Sequence, residues 1–112
     1  IVKKSKIREG LCNVYAMHAT ASIVINENAD PNICLDTIDA LSSLIKKGVW
    51  SHDNVDGNAD AHIKSAILGP GETIPIKNGK LQLGQWQSVM MAELDGPRSS
   101  RNIIVTILGD KK

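Results

Sequence analysis

Apolar positions along the chain fall into three patterns, and each predicts a different kind of element. Residues 11–17 (LCNVYAM) and 21–26 (ASIVIN) are dense in strand formers, with Ile23, Val24 and Ile25 consecutive. A run apolar on both faces predicts a strand buried within a sheet. From Pro31 the period changes: Cys34, Ile38, Leu41 and Ile45 recur at helical spacing, and Leu44 widens the stripe. Asp30-Pro31 starts this helix as N-cap and first-turn proline, while Lys46, Lys47 and Gly48 close it, which predicts a helix over 31–47. A second helix is capped by Asn58 or Asp56, carries Asp60 in its first turn, and stops at Gly69-Pro70. Its predicted face is Ala59, His62, Ile63, Ala66 and Ile67, which turns His62 inward.

Beyond Gly71 the pattern alternates. Residues 72–76 form a strand that Pro75 assigns to an edge or an irregularity. Asn78-Gly79 makes a hairpin turn, and Leu81 and Leu83 follow with polar partners. A long strand is predicted over 86–94, a second turn at Asp95-Gly96-Pro97-Arg98, and a last strand over 101–108 with Ile103, Val105 and Ile107 on one face. Residues 1–10 read as the end of a helix stopped by Gly10. Strands, two main helices and a run of antiparallel strands define an α+β domain, an antiparallel or mixed β-sheet sandwich.

Length and charge narrow the setting. With 112 residues the chain is expected to form a single domain. A net charge of +1 argues against nucleic acid as a partner, and Lys3, Lys4, Lys6 and Arg8 read as a solvated face. No apolar run is long enough to span a membrane. Two cysteines, Cys12 and Cys34, without a secretory pattern point to free thiols in a reducing cytoplasm.

Candidate chemistry concentrates in residues 50–71, where His52 and His62 bracket Asp53, Asn54, Asp56 and Asn58. With His18 from the first strand pair these make a three-histidine set suited to a divalent metal, zinc favoured and magnesium the alternative. The structural alternative is a hydrogen-bonded core His62 and a surface His52. Glu27 and Asn28 follow a buried strand and are not explained by capping, as Asp30 is, which makes them candidates to orient a ligand. His18, Thr20 and Ser22 alternate and so share one strand face, where the hydroxyls can bind phosphate or satisfy the backbone of a bend. Arg98 is a candidate phosphate ligand through its planar fork; a turn arginine in solvent is the commoner case. Gln85-Trp86-Gln87 is the last polar cluster. No nucleophile elbow and no phosphate-binding glycine loop is present.

Seven segments in order carry a family resemblance: His18-Ala19-Thr20-Ala21, residues 25–31 (INENADP), Trp50-x-His52-Asp53, residues 57–62 (GNADAH), Leu68-Gly69-Pro70, Leu83-Gly84-x-Trp86-Gln87, and Asp95-Gly96-Pro97-Arg98. Together they resemble the secondary thiamine-phosphate synthase (YjbQ-like) family over roughly residues 14–109. The resemblance implies a homotrimer with sites near subunit interfaces. It also implies a capacity to join a pyrimidine methyl diphosphate to a thiazole phosphate with release of pyrophosphate. The matching site positions are His18, Glu27, Asn28, His52, His62, Trp86, Gln87 and Arg98. Ala19 stands where relatives often have Thr, Asp60 where many have a second His, and the family's N-terminal segment is mostly absent.

The expectation is therefore a homotrimer binding a divalent metal through His18, His52 and His62 and taking a phosphorylated small molecule. Glu27, Asn28 and Arg98 are the catalytic candidates; Thr20, Ser22, Trp86, Gln87 and Arg98 are the substrate-binding ones. The alternatives are a non-catalytic binding or assembly protein and a metal-dependent hydrolase of a phosphorylated small molecule.

Overall fold

The computed structural model describes residues 1–112. Its strands are β1 (Glu9–Ala16), β2 (Ala21–Glu27), β3 (Gly71–Lys77), β4 (Lys80–Leu81), β5 (Gln87–Glu93) and β6 (Ile103–Asp110). Its helices are α1 (Val2–Ser5), α2 (Pro31–Leu44) and α3 (Ala59–Leu68), with a 3-10 turn at Ser51–Asn54. One sheet has the order β4-β3-β1-β6, β2 and β5 form a second, and every pairing is antiparallel. The fold is α+β, with the predicted sandwich of antiparallel strands.

Side-chain alternation decides what each sheet buries. In the four-stranded sheet the inward row carries Cys12, Ala16, Ile74 and Ile76, all buried. Three of the outward ladders are Leu108-Leu11-Pro75, Thr106-Asn13-Thr73 and Ile104-Tyr15-Gly71, and beyond Leu11 the same face carries the charged pairs Glu9-Asp110 and Lys77-Lys80. The three ladders contain no charged residue, yet Leu11, Tyr15, Ile104 and Leu108 are exposed. On β2, Ala21, Ser22 and Ile23 are buried in succession, because α3 covers one face and β1 and β3 approach the strand.

Small residues set the α3 contact. The Ser22 hydroxyl donates to the Ser65 carbonyl at 3.3 Å, and Ser65 Oγ donates to the Ala21 carbonyl at 3.0 Å. Ala59, Asp60, Ala61 and Ser65 are the buried positions, while Ala66 and Ile67 face solvent. The predicted face is thus rotated: short side chains let the helix press against the strand, and that packing outweighs the larger Ile63 and Ile67. Ser22 is consequently corrected from a ligand candidate to a buried link between strand and helix.

Other predicted boundaries shift for local reasons. The N-terminal helix covers only four residues, because Lys6 turns left-handed (φ 62) and residues 9 and 10 pair with β6 instead. A Cβ on Gly10 would lie 2.0 Å from the Leu108 carbonyl oxygen, so only glycine allows this close approach. α2 begins as predicted, with Asp30 Oδ1 accepting the Asn32 N–H at 2.9 Å, but it ends at Leu44. Ile45 is extended, and the Lys46 carbonyl accepts the Trp50 indole N–H at 2.6 Å instead of a helical partner. The strand predicted over 86–94 covers Gln87–Glu93, leaving Trp86 outside, and the last strand starts at Ile103, leaving Arg101 in the preceding loop. Asn78 and Gly79, at φ 52 and 75, form the predicted hairpin turn.

The chain is more open than its length requires. No residue of α2 is buried, and only 13 of 112 residues are buried in all. The radius of gyration is 16.3 Å, against about 13 Å expected for a compact domain of this length.

Candidate functional site

The N-terminal end of α3 is organised by a single carboxylate. Asp53, in the 3-10 turn, accepts the Trp50 N–H at 3.0 Å and the Ala59 N–H at 3.1 Å. These backbone donors hold its pKa below the ordinary carboxylate value, Trp50 first and Ala59 second. Asp53, not Asn58, therefore caps the helix with its side chain. Because the cap ties turn to helix, it brings His52 and His62 together: the rings meet edge to face, centroids 4.8 Å apart at 79°. His52 Nε2 also lies 3.7 Å from Asp56 Oδ2. One turn along the helix, Asp60 and Lys64 pair at 3.3 Å with side chains only 11% and 12% exposed, so Asp60 has a partner beyond the helix dipole.

Freed from capping, Asn58 reaches across to the other half of the fold. Its Nδ2 donates to Asp95 Oδ2 at 2.8 Å. Asp95 also accepts from Arg98 Nη2, and its carbonyl accepts Arg98 Nε–H at 2.9 Å. The Asn58 bond, then the Arg98 bond, hold the Asp95 carboxyl below the usual range. Arg98, about half exposed, keeps Nη1 without a protein acceptor.

Arg101 is the residue that sequence reasoning missed. Its side chain is 10% exposed, and its fork holds both oxygens of Glu93, with Nε at 2.8 Å from Oε1. The same guanidinium donates to Thr20 Oγ1 at 3.1 Å and to the Thr20 carbonyl at 3.2 Å. Thr20, buried, thus serves Arg101 rather than an open phosphate site. Arg101 chiefly depresses the Glu93 carboxyl, and Glu93 raises the guanidinium in return. The available signal was a pair of opposite charges flanking the Asp95-Gly96-Pro97-Arg98 turn, Glu93 before it and Arg101 after.

Three depressed carboxyls carry a pH dependence. Asp53, Glu93 and Asp95 have folded-state values below their unfolded ones. Their contribution is complete above the unfolded values, near pH 4, and is lost as pH falls through the lower folded values. The part of the stability that these carboxyls carry should therefore appear in calorimetric melting as a decline below about pH 4. An Asp95→Asn variant should show a shallower acid decline; an identical one would contradict the assignment.

The remaining candidates divide between the two ends of the two-stranded sheet. Ala21 pairs with Glu93 at one end, beside Thr20, Arg101 and Asp95; Glu27 pairs with Gln87 at the other. Six residues of strand, roughly 20 Å, separate the ends. Glu27, Asn28, Trp86 and Gln87 thus cluster away from Arg98. Trp86 is exposed, Gln87 Oε1 accepts the Gly84 N–H at 2.8 Å, and the Cys34 thiol lies 3.8 Å from Asn28 Oδ1.

His18 does not join the other histidines as predicted. Its Nε2 accepts the Asn102 N–H at 2.7 Å, locking the ring to the start of the last strand. No three His, Cys, Asp or Glu side chains of the chain are grouped to hold a metal ion. The donor set within one chain stops at the His52–His62 pair, with Asp56 beside His52.

The family model described as UPF0047 protein YjbQ-like matches residues 1–110. The chain belongs to the YjbQ/UPF0047 family. It is 49% identical to a UPF0047 protein of Methanocaldococcus jannaschii over 98% of this chain and 78% of that protein. Against the UPF0047 protein YugU of Bacillus subtilis the identity is 34%, over 96% of this chain and 81% of the relative. A YbjQ-like protein of unknown function from Sulfolobus solfataricus has a crystal structure that superimposes with a TM-score of 0.95 at 40% identity, covering 98% of this chain and 80% of that one. The Sulfolobus relative shares the fold, and all three are named for the family, not for a reaction. No helix of the chain is long and apolar enough to cross a membrane.

Proposed function

We propose that this YjbQ-like chain works as a homotrimer in which a divalent ion at His52 and His62 binds a phosphorylated small molecule. The carrying observation is the histidine pair itself, two rings 4.8 Å apart, brought together by the Asp53 cap. Paired imidazoles suit zinc, whereas magnesium prefers oxygen donors. Two donors do not complete a site, so the reading requires a further ligand from a neighbouring copy or from the bound molecule. When bound, such an ion supplies Lewis-acid polarisation of a phosphoryl oxygen.

The chain's own residues have separate tasks. Arg98 Nη1, free of protein acceptors, is available to a phosphate oxygen, and Asp95 and Asn58 fix its position relative to α3. Arg101 holds the loop that carries Arg98 against β5 and Thr20. Assembly is supported by the three uncharged ladders, with Leu11, Tyr15, Ile104 and Leu108 exposed, on the outer face of the four-stranded sheet, and by the separation of Glu27 and Trp86 from Arg98.

Calorimetric titration with thiazole phosphate, on zinc-loaded and chelator-treated protein, tests the reading. Binding is expected only with zinc and should weaken about tenfold in Arg98→Gln, the loss of one charge-assisted hydrogen bond. Equal affinity for the unphosphorylated thiazole alcohol would contradict a phosphate site. Adding the pyrimidine diphosphate then separates the reaction classes. Thiamine phosphate formation marks the transferase, phosphate release from one precursor alone marks a hydrolase, and binding without turnover marks a binding protein.

A further inference from the structure

A helix that lies over a sheet ordinarily meets it with interdigitated side chains. α2 does not. Between it and the β2–β5 sheet runs a groove of about 550 Å³, walled by Ile33, Ile38 and Leu41 from the helix and floored by Val24, Met90 and Leu68. Val24 and Met90 are directly paired across the two strands, so they present one continuous apolar surface. The volume falls within the range of small-molecule sites, and the mostly apolar lining with a few polar groups matches their composition.

Its charge is one-sided. The ionisable carboxylates lining the groove are Glu27, Glu72 and Glu93, and no Lys, Arg or His lines it. Glu93 is taken by Arg101, but neither Glu27 nor Glu72 belongs to an ion pair, and both are partly buried. Half-buried carboxylates without partners disfavour an anionic or purely apolar occupant and attract a cation. The polarisable Met90 thioether adds affinity for a ring. A second copy is the poorer occupant, because the three uncharged ladders of its outer sheet face would bury Glu27 and Glu72 unpaired.

We infer that this groove binds a small organic cation, an amine or cationic heterocycle with an apolar body, anchored by Glu27 and Glu72. The site is independent of the histidine pair and needs no metal.

Three probes with one apolar body and different charge test it: 4-phenylbutylamine, 4-phenylbutanol and 4-phenylbutyrate. The chain has three methionines, so methyl-labelled protein gives three resonances, and Met90→Leu identifies that of Met90, which lines the groove with Met91. The amine should move the Met90 resonance and bind about tenfold more tightly than the carboxylate, with the alcohol between. In the double variant Glu27→Gln, Glu72→Gln the amine should bind no better than the alcohol. Equal binding of amine and carboxylate, or an amine that leaves Met90 unmoved, overturns the inference. So does an Ile38→Asp variant that dissociates the assembly, since the groove would then be an interface between copies.

Discussion

Arg101→Met is expected to lower the melting temperature by about 10 °C. The substitution keeps an apolar stem of similar length but leaves Glu93 without its fork and the Thr20 hydroxyl without a donor, while the Thr20 carbonyl keeps only the Leu94 N–H. Removing one partner of a buried pair costs about 3–5 kcal/mol, because the remaining charge is stranded. The Glu93 side chain is 30% exposed, so water recovers part of that, and about 2–3 kcal/mol remains. For a chain of this size each kcal/mol corresponds to roughly 4 °C. Arg101→Lys should recover little of the loss, since a point charge cannot engage two carboxylate oxygens and Thr20 together. Thermal unfolding followed by circular dichroism checks this; a change under about 3 °C would show that the clamp is not structural.

Leu11→Glu is the second large effect expected. Leu11 lies at the centre of the outer face, between Leu108 and Pro75, and is 50% exposed in the isolated chain. In an assembly that covers this face, a carboxylate there is set between Leu108 and Pro75 and beside the like-charged Glu9-Asp110 pair. Stranding it costs several kcal/mol in each copy, more than an interface of ordinary stability tolerates. Light scattering should therefore give a trimer mass of about 36 kDa (three chains of 12.1 kDa) for the wild type and 12.1 kDa for the variant. A variant that keeps the wild-type mass would remove this face from the interface. A variant of wild-type secondary structure and lower mass would confirm that the carboxylate acts on assembly rather than on folding.

Where a local rule suffices, the chain announces its structure. Asp30-Pro31 starts α2, Asn78-Gly79 turns the hairpin, and Gly69-Pro70 ends α3, each through a neighbour within three residues. Failures begin where the deciding partner is distant in sequence. Asp53 caps α3 from six residues away because the intervening 3-10 turn folds back, and nothing in Asn58 reveals that its amide is committed to Asp95. The buried face of α3 follows from Ser22 and Ala21 on β2, which accept only short side chains; a hydrophobic count selects Ile63 and Ile67 instead. Arg101 looks like any loop arginine until Thr20 and Glu93 surround it. Of the three histidines, local order united the two on the turn and helix, while the Asn102 amide holds the third in the strand pair.

The same distinction explains why the proposed site is only half present in one chain. Contacts that a single copy can complete are complete: the cap, the Asn58–Asp95–Arg98 relay and the Arg101 clamp. Exposed apolar residues on α2 and on the outer sheet face, and the distance between the Glu27 and Arg98 ends, are properties that only a neighbour or a ligand can resolve.

The most direct measurement is the divalent metal content of the purified protein, by plasma mass spectrometry, for wild type, His52→Ala and His62→Ala. His52 is exposed and His62 only partly buried, so both variants should fold, with melting temperature as the control. The expected result is about one zinc per histidine pair in the wild type and little in either variant, since neither retains two imidazoles. Equal metal content in all three, or none in the wild type after zinc loading, would contradict the histidine site.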